Sequence, residues 1–395
     1  MPPPPLLAGL VAALASLGQF AISAYLPGFD EIGRSLSASS AQVQYSLTAY
    51  LVPFAVAMLW HGAIADALGR RHFILCGLLV FLLASLICTF ADSIELLYVG
   101  RALQGVSAGI GLVVGRTMIS DLYEGRAAQR QMALFAIFFT LSPAVAPICG
   151  GWLLPLGGWR SIFALLAAIT AVLWLACWYW LPETLPRARR QSLHPLQLAR
   201  GFAGLLGHRY FMLIALSNAA VNAAIYLYVL AAPTLVTQHL GLSPQSFGWV
   251  FIPLVGGMFC GALLAFRLAS SLAPGSGILL GPGLMSLANL VNIGLAIWLA
   301  PGLPWTILTL PLFALGMTLT QPALQLFALE CFADRRGLAS SGYATLQQGV
   351  NALSSALIVP LLLASTLDLA LGGAALQVLA LLIYGLACRE GPRQL

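Results

Sequence analysis

Charge is rare in this chain, and the places where it occurs set out the chemistry available. The stretch Gly62-Ala-Ile-Ala-Asp66-Ala-Leu-Gly69-Arg70-Arg71 ends one apolar run and opens the next. A carboxylate at the C-terminal end of its own helix opposes that helix's dipole but suits the N-terminus of another. The stretch therefore reads either as a latch, made in one conformation and broken in another, or as a plain basic turn. Arg101, followed by Gln104 and Gly105, lies inside an apolar run. A guanidinium there costs roughly 2.5–3.5 kcal/mol on insertion scales, so it needs a partner or a wet cavity. Arg116 lies about 22 Å further on at helical rise, near enough to the end of the run to snorkel, and Asp121 follows it.

Uncharged polar residues recur at helical spacing in other apolar runs: Ser16, Gln19 and Ser23; Asn218, Asn222 and Tyr226; Gln321 and Gln325; Gln347 or Gln348 with Asn351 and Ser355. In lipid such side chains face a wet pathway or hydrogen-bond between helices, and both readings stand. Amides and a tyrosine without fixed charge suit a neutral, zwitterionic or weakly charged amphipathic molecule, while Arg101 and Arg116 would tolerate an anion. Ser142-Pro143-Ala-Val-Ala146-Pro147-Ile-Cys-Gly150-Gly151 kinks a helix with two prolines and lets it pack closely through its glycines. Histidines 61, 72, 194, 208 and 239 are scattered and form no HExxH or paired-carboxylate cluster, which argues against a membrane-embedded enzyme. No filter-like repeat suggests a channel. Cysteines 76, 88, 149, 177, 260, 331 and 388 form no CxxC pair and read as small buried hydrophobes.

The elements that carry these residues follow from composition. Of 395 residues, 60% are apolar and 8% charged, against about 25% charged in a soluble domain, so the solvent for most of the chain is lipid. Apolar runs place twelve spans near 6–28, 42–65, 72–91, 95–121, 131–154, 160–181, 210–236, 246–268, 277–299, 305–329, 338–363 and 369–388. The N-terminal run lacks a basic leader and reads as the first span, not a signal peptide. If the N-terminus is cytoplasmic, fourteen loop arginines fall on one side and only Arg34 and Arg160 on the other, an asymmetry that fixes topology and an even span number. Arginines distributed in this way, despite a net charge of +6, exclude a nucleic-acid-binding face. Trp159, Trp178, Trp180 and Trp305 read as interfacial belts. The polar stretch from Pro182 to Arg209 divides two halves: residues 1–181 and 210–395 as six-helix bundles, with 182–209 as a cytoplasmic linker. Asp121, Tyr123 and Arg126 recur as Glu330, Phe332 and Arg335 at one constant offset of 209 residues, as an internal duplication would give.

Together the loop G-x-x-x-D-x-x-G-R-R, the R-x-x-x-G of the fourth span and A-P-x-x-G-G-W in the fifth resemble the major facilitator superfamily, in particular its twelve-span drug/proton antiporters of the Bcr/CflA-like branch. Tyr25-Leu26-Pro27 and Gly337-Leu-Ala339-Ser340-Ser341 fit the same branch. The resemblance implies an all-α fold of two pseudo-symmetric six-helix bundles and an alternating-access carrier that exports small amphipathic molecules in exchange for protons; a dedicated exporter of one metabolite or siderophore is the other transporter reading. It implies a latch at Gly62, Asp66, Gly69, Arg70 and Arg71, a buried coupling charge at Arg101 with Arg116 and Asp121, and an antiporter-motif helix at Ala146, Pro147, Gly150 and Gly151. Spans one, four, seven and ten would line a cavity with Gln19, Ser23, Gln104, Asn218, Asn222, Tyr226, Gln321 and Gln325. It further implies no cofactor, no metal, a monomer, and a bacterial inner-membrane location with both termini cytoplasmic. The chain departs from the branch at Ala67, where a basic residue is usual, and at Ser23, where the branch carries an aspartate. A serine cannot titrate, and no carboxylate lies clearly mid-span, so the sequence assigns no proton-carrying residue.

Overall fold

The structure is a computed structural model that describes residues 5–190, 195–268, 276–332 and 336–390. Arg335, the third position of the expected repeat, lies outside the described residues, as do His194 and Arg393. Backbone in lipid must satisfy its hydrogen bonds internally, and the described residues do so with helices; no strand occurs among them. Helix starts follow local side-chain chemistry. The Ser39 hydroxyl accepts from the Gln42 N–H at 3.3 Å while Gln42 Oε1 accepts from the Ser39 N–H at 2.8 Å, a reciprocal cap. Ser93 and His208 Nδ1 accept from the backbone N–H three residues on, at 3.3 and 3.1 Å.

Two compact units divide at residues 194 and 195. In the first, α1 (Pro5–Ser23), α2 (Ser40–Leu68), α3 (Arg70–Thr89) and α4 (Ile94–Leu122) are followed by one helical stretch, Gly125–Trp180. The stretch has 56 residues, roughly 84 Å if straight and too long for one crossing. It breaks at Gly157 and Gly158, whose backbone is not helical; Gly158 sits at φ +65°. Arg160, just past the break, donates to the Ala91 carbonyl at 2.7 Å and to Ser35 Oγ at 3.2 Å. At the far end Arg71 donates to the Trp178 carbonyl at 2.6 Å. The chain therefore turns back, giving α5 (125–156) and α6 (159–180). Arg70, Arg71 and Arg190 gather at one end of this unit and Arg160 at the other. Here α1 packs on α5 and α4, α2 on α4, and α3 on α4 and α6.

The second unit holds α7 (Arg209–His239), α8 (Pro244–Arg267), α9 (Ser276–Trp298) and α10 (Trp305–Glu330). These are followed by α11 (Arg336–Leu353, continuing through a π turn at Ser354–Ile358 to Val359–Leu362) and α12 (Thr366–Glu390). In it α7 packs on α10, α11 and α12, α8 on α10, and α9 on α10 and α12. Ten helices among the described residues are long and apolar enough to cross a membrane by length and composition. That number counts Gly125–Trp180 once and omits α11, whose polar residues lower its hydropathy. Adding both gives the twelve passages expected.

Three sequence expectations need correction. Trp159 is not a belt residue: it is 1% exposed, packed at Gly28 and edge-on to Phe163, because the turn at Gly158 folds it inward. Cys76, Cys260 and Cys388 are exposed, on outward helix faces. The stretch from Pro182 is not a free linker: Glu183 and Arg190 pack on the first unit, and the helix Pro195–Gly207 packs on α7 and α11 of the second.

Candidate functional site

The end of α2 and the start of α3 carry the first cluster. Gly69 joins them at φ +98°, a region that side-chain-bearing residues rarely enter. It is also hemmed in, because a Cβ there would lie 2.5 Å from Glu183 Oε2 and from Arg190 Nη2. The tight turn aims Arg70 at several acceptors at once. Its guanidinium pairs with Asp121 at the end of α4 and lies 3.6 Å from Asp66, while its backbone N–H donates to Glu183 Oε1 at 3.0 Å. Glu183 in turn pairs with Arg190 at 3.5 Å and faces His72 at 3.6 Å. Asp66 and Asp121 are partly exposed, with 41% and 30% of their side chains accessible, whereas Arg70 is 9% exposed. One buried arginine thus ties α2, α3, α4 and the segment after α6 together. Arg71 leaves the cluster: besides its bond to the Trp178 carbonyl, its guanidinium lies over the Trp178 ring. Gly62 lies about one turn before Asp66, with Val113 of α4 opposite it. Glu183 and Arg190 were invisible as members of this cluster because they fall in the stretch read as linker; the signal was one acid just after the sixth span.

Arg101 is wholly buried in α4 and has no carboxylate partner among the described residues. Its guanidinium sits 4.1 Å from the Tyr25 ring centre, 4.3 Å from Tyr50 and 6.0 Å from Phe163. Nη1 donates to the Ala21 carbonyl at 3.2 Å and to Gln104 Oε1 at 2.8 Å; Nε and Nη2 make no hydrogen bond and rely on the ring faces. Gln104 passes the chain on to Ser85 of α3 at 2.9 Å, so both ends of its amide are engaged inside the unit. Ser23 is buried. Gln19 is half-buried, and its Oε1 has no partner. Arg116 stands apart, exposed, with its guanidinium 5.4 Å from the Phe135 ring centre.

The fifth-span motif serves close packing. Ala146, Pro147, Gly150 and Gly151 are buried, and a Cβ on Gly150 would collide with the Ala24 carbonyl. Ser142 Oγ donates to the Ser16 carbonyl at 3.1 Å. The motif thus holds α5 against α1 beside Tyr25.

In the second unit, Asn351 of α11 donates to Asn222 Oδ1 of α7 at 3.1 Å and to Gln348 Oε1 at 2.9 Å. Asn218 Oδ1, Asn351 Oδ1 and Gln321 Nε2 are buried with no hydrogen-bond partner. Tyr226 is buried on α7, and Gln325 is half-buried on α10. A second polar seam was missed: Asn289 of α9 donates to Gln377 Oε1 of α12 at 2.5 Å, Gln377 donates to Ser286 Oγ at 2.9 Å, and Asn292 donates to the Tyr228 hydroxyl at 2.5 Å. The spacing of Asn289 and Asn292 along α9 was its signal.

A family model described as Major Facilitator Superfamily matches residues 8–355. The chain is 36% identical over 259 residues to an uncharacterized MFS-type transporter YdgK of Bacillus subtilis (strain 168), covering 64% of each chain, so it spans just under two thirds of that relative. It is 29% identical over 329 residues to the multidrug resistance protein MdtL of Klebsiella pneumoniae (strain 342), covering 83% of this chain and 82% of that one. Its fold is similar to the crystal structure of a bacterial homologue of the human lysosomal transporter Spinster, with TM-score 0.70 at 17% identity over 97% of this chain and 96% of that one.

Proposed function

The chain belongs to the Major Facilitator Superfamily, and from that premise we propose that it is a secondary active transporter that exports small amphipathic molecules from a bacterial cell by alternating access, in exchange for protons. The observation that carries the reading is the set of buried polar atoms left without partners. Gln19 Oε1 in the first unit, and Asn218 Oδ1, Asn351 Oδ1 and Gln321 Nε2 in the second, make no hydrogen bond. A buried unsatisfied group costs about 1–3 kcal/mol, so helices that keep several of them keep them for a ligand or water. None of the four carries a fixed charge, which favours neutral and zwitterionic cargo. Support for multidrug cargo comes from relatives named multidrug resistance protein.

In this reading the cluster around Arg70 is the conformational latch. Gly69 sets the turn, Asp66 and Asp121 hold the guanidinium, and Gly62 and Arg71 seat the adjoining helices. Arg101 is a fixed buried cation beside the pathway, and the motif of Ala146, Pro147, Gly150 and Gly151 is the packing joint of α5. The protein acts in the inner membrane as a monomer, with both termini and the Arg-rich ends of its helices in the cytoplasm.

The test is transport in proteoliposomes under an imposed pH gradient, with ethidium, norfloxacin and chloramphenicol as cationic, zwitterionic and neutral probes. Efflux of the neutral or zwitterionic probe coupled to proton entry is expected, with loss of coupling in Asn351→Ala combined with Asn218→Ala. Probe movement with no proton countermovement would end the antiport part of the reading.

A further inference from the structure

A proton exchanger needs a side chain that gains and loses a proton inside the membrane. Every described acidic residue lies within one turn of a helix end or in a connecting segment. Arginine stays charged, and Ser23 cannot titrate. Among the described histidines, His72 and His208 stand at helix starts and His239 at the end of α7. His61 alone lies inside a span, about 10 Å from the end of α2 at helical rise.

Its surroundings are unusual. The imidazole is 3% exposed. Nε2 lies 2.9 Å from the Val106 carbonyl; a carbonyl can only accept, so Nε2 carries the hydrogen in the neutral ring and Nδ1 holds the lone pair. Nδ1 is buried and has no partner. It faces the one interruption of α4, at Gly109, which separates the helical pieces Ile94–Ala108 and Ile110–Leu122. A Cβ on Gly109 would lie 3.0 Å from Nδ1 and 2.9 Å from the Phe54 ring, so a side chain there would crowd both rings. Gly109 stands halfway along α4, between Arg101 and Arg116.

We propose that His61 is the proton-carrying residue of this transporter, and that protonation at Nδ1 drives the change of shape of α4 at Gly109. The inference rests on the antiport reading above. Nδ1 takes a proton from water on one side, the imidazole becomes imidazolium with both nitrogens bearing hydrogen, and the Nδ1–H bond later breaks to return the proton to water on the other side. In the conformation seen here the imidazolium would be buried with no carboxylate among the described residues paired to it, and a buried charge without a counter-charge is strongly disfavoured. Protonation therefore forces the contact between α2 and α4 to rearrange, and deprotonation restores it. Nearby charges do not compensate the ring. On α2, Asp66 faces Arg70; on α3, Arg70 pairs with Asp121, Arg71 bonds the Trp178 carbonyl, and His72 faces Glu183. On α4, Arg101 is held by its cage and Arg116 lies over Phe135. The remaining ring contact is Phe73 of α3, 5.8 Å between centres.

The test uses the full chain in proteoliposomes with His61→Gln, whose amide keeps a donor for the Val106 carbonyl but binds no proton at physiological pH. In the first arm, 15N-histidine spectra are recorded from about pH 8 down to about pH 4, a window wide enough for an imidazole that is out of contact with solvent. The His61 signal, assigned by its absence in the variant, should change from the neutral Nε2–H form to imidazolium. In the second arm, whichever of ethidium, norfloxacin and chloramphenicol the wild type carries is followed under a pH gradient and in gradient-free counterflow. His61→Gln should lose at least about tenfold of gradient-driven efflux, a loss of the size a single transition-state term of 1.4 kcal/mol gives, and should keep counterflow, which also shows that it is folded. A neutral His61 at every pH, or gradient-driven efflux in His61→Gln equal to wild type, overturns the proposal. If the wild type moves no probe against a proton gradient, the antiport reading fails, while the spectra still decide whether His61 takes the proton.

Discussion

Arg101 is a full charge in a dry place with no carboxylate among the described residues to answer it, and its stability has to come from the aromatic cage together with two hydrogen bonds. The insertion cost of such a group is roughly 2.5–3.5 kcal/mol. Against this stand two ring faces, Tyr25 at 4.1 Å and Tyr50 at 4.3 Å, each worth about 1–2 kcal/mol when desolvated. Two hydrogen bonds from Nη1, to the Ala21 carbonyl and Gln104, are worth about 1.5–3 kcal/mol each. The rings therefore supply a share comparable to the whole penalty. Tyr50→Leu should remove one face, and Tyr50→Phe should keep the face while losing only the hydroxyl bond to the Gly18 carbonyl at 2.9 Å. In a double-mutant cycle against Arg101→Met, read by SDS unfolding in mixed micelles, Tyr50→Leu should couple by about 1–2 kcal/mol. Tyr50→Phe should be additive with Arg101→Met beyond what the lost hydroxyl bond accounts for, since the ring remains. A coupling for Tyr50→Leu below about 0.3 kcal/mol, the level at which independent sites add, would refute the cage as what holds the charge.

Further outcomes follow from the same geometry. Gly69→Ala should cost about 1–3 kcal/mol from backbone strain together with displacement of Glu183 and Arg190, and should lower transport; normal stability and transport in reconstituted vesicles would contradict the reading of that turn. Arg70→Lys should weaken the cluster more than charge conservation suggests, because one ammonium cannot reproduce the planar fork that meets Asp66 and Asp121; transport equal to wild type in dye-efflux assays would argue that the cluster is only a basic turn. In the α9–α12 seam, Gln377→Leu alone leaves the Asn289 amide without its acceptor and should destabilise the protein by about 1–2 kcal/mol. Asn289→Leu combined with Gln377→Leu should be milder than either single change, as measured by thermal aggregation in detergent.

How much was legible beforehand differs from element to element. The helices were readable because lipid imposes both a length and an apolar content on every crossing, and the structure places them within a few residues of the expected positions. The hairpin at Gly157 and Gly158 and the polar helix α11 were also readable, since arginine sidedness requires an even number of crossings. Gly69, Arg70 and Asp66 announced themselves because residue type and local spacing suffice for a tight charged turn. What sequence could not supply was the partner of each exceptional side chain. Glu183 lies 113 positions from the Arg70 backbone it accepts from, and the Ala21 carbonyl lies 80 positions from the Arg101 that donates to it. Composition decides that a buried charge needs compensation, but only packing decides whether a carboxylate, a carbonyl or a ring face provides it. For the same reason Gln104 was read toward a cavity and is in fact joined to Arg101 and Ser85, and His61 looked like a stray histidine until the fold set its bare nitrogen against the break in α4.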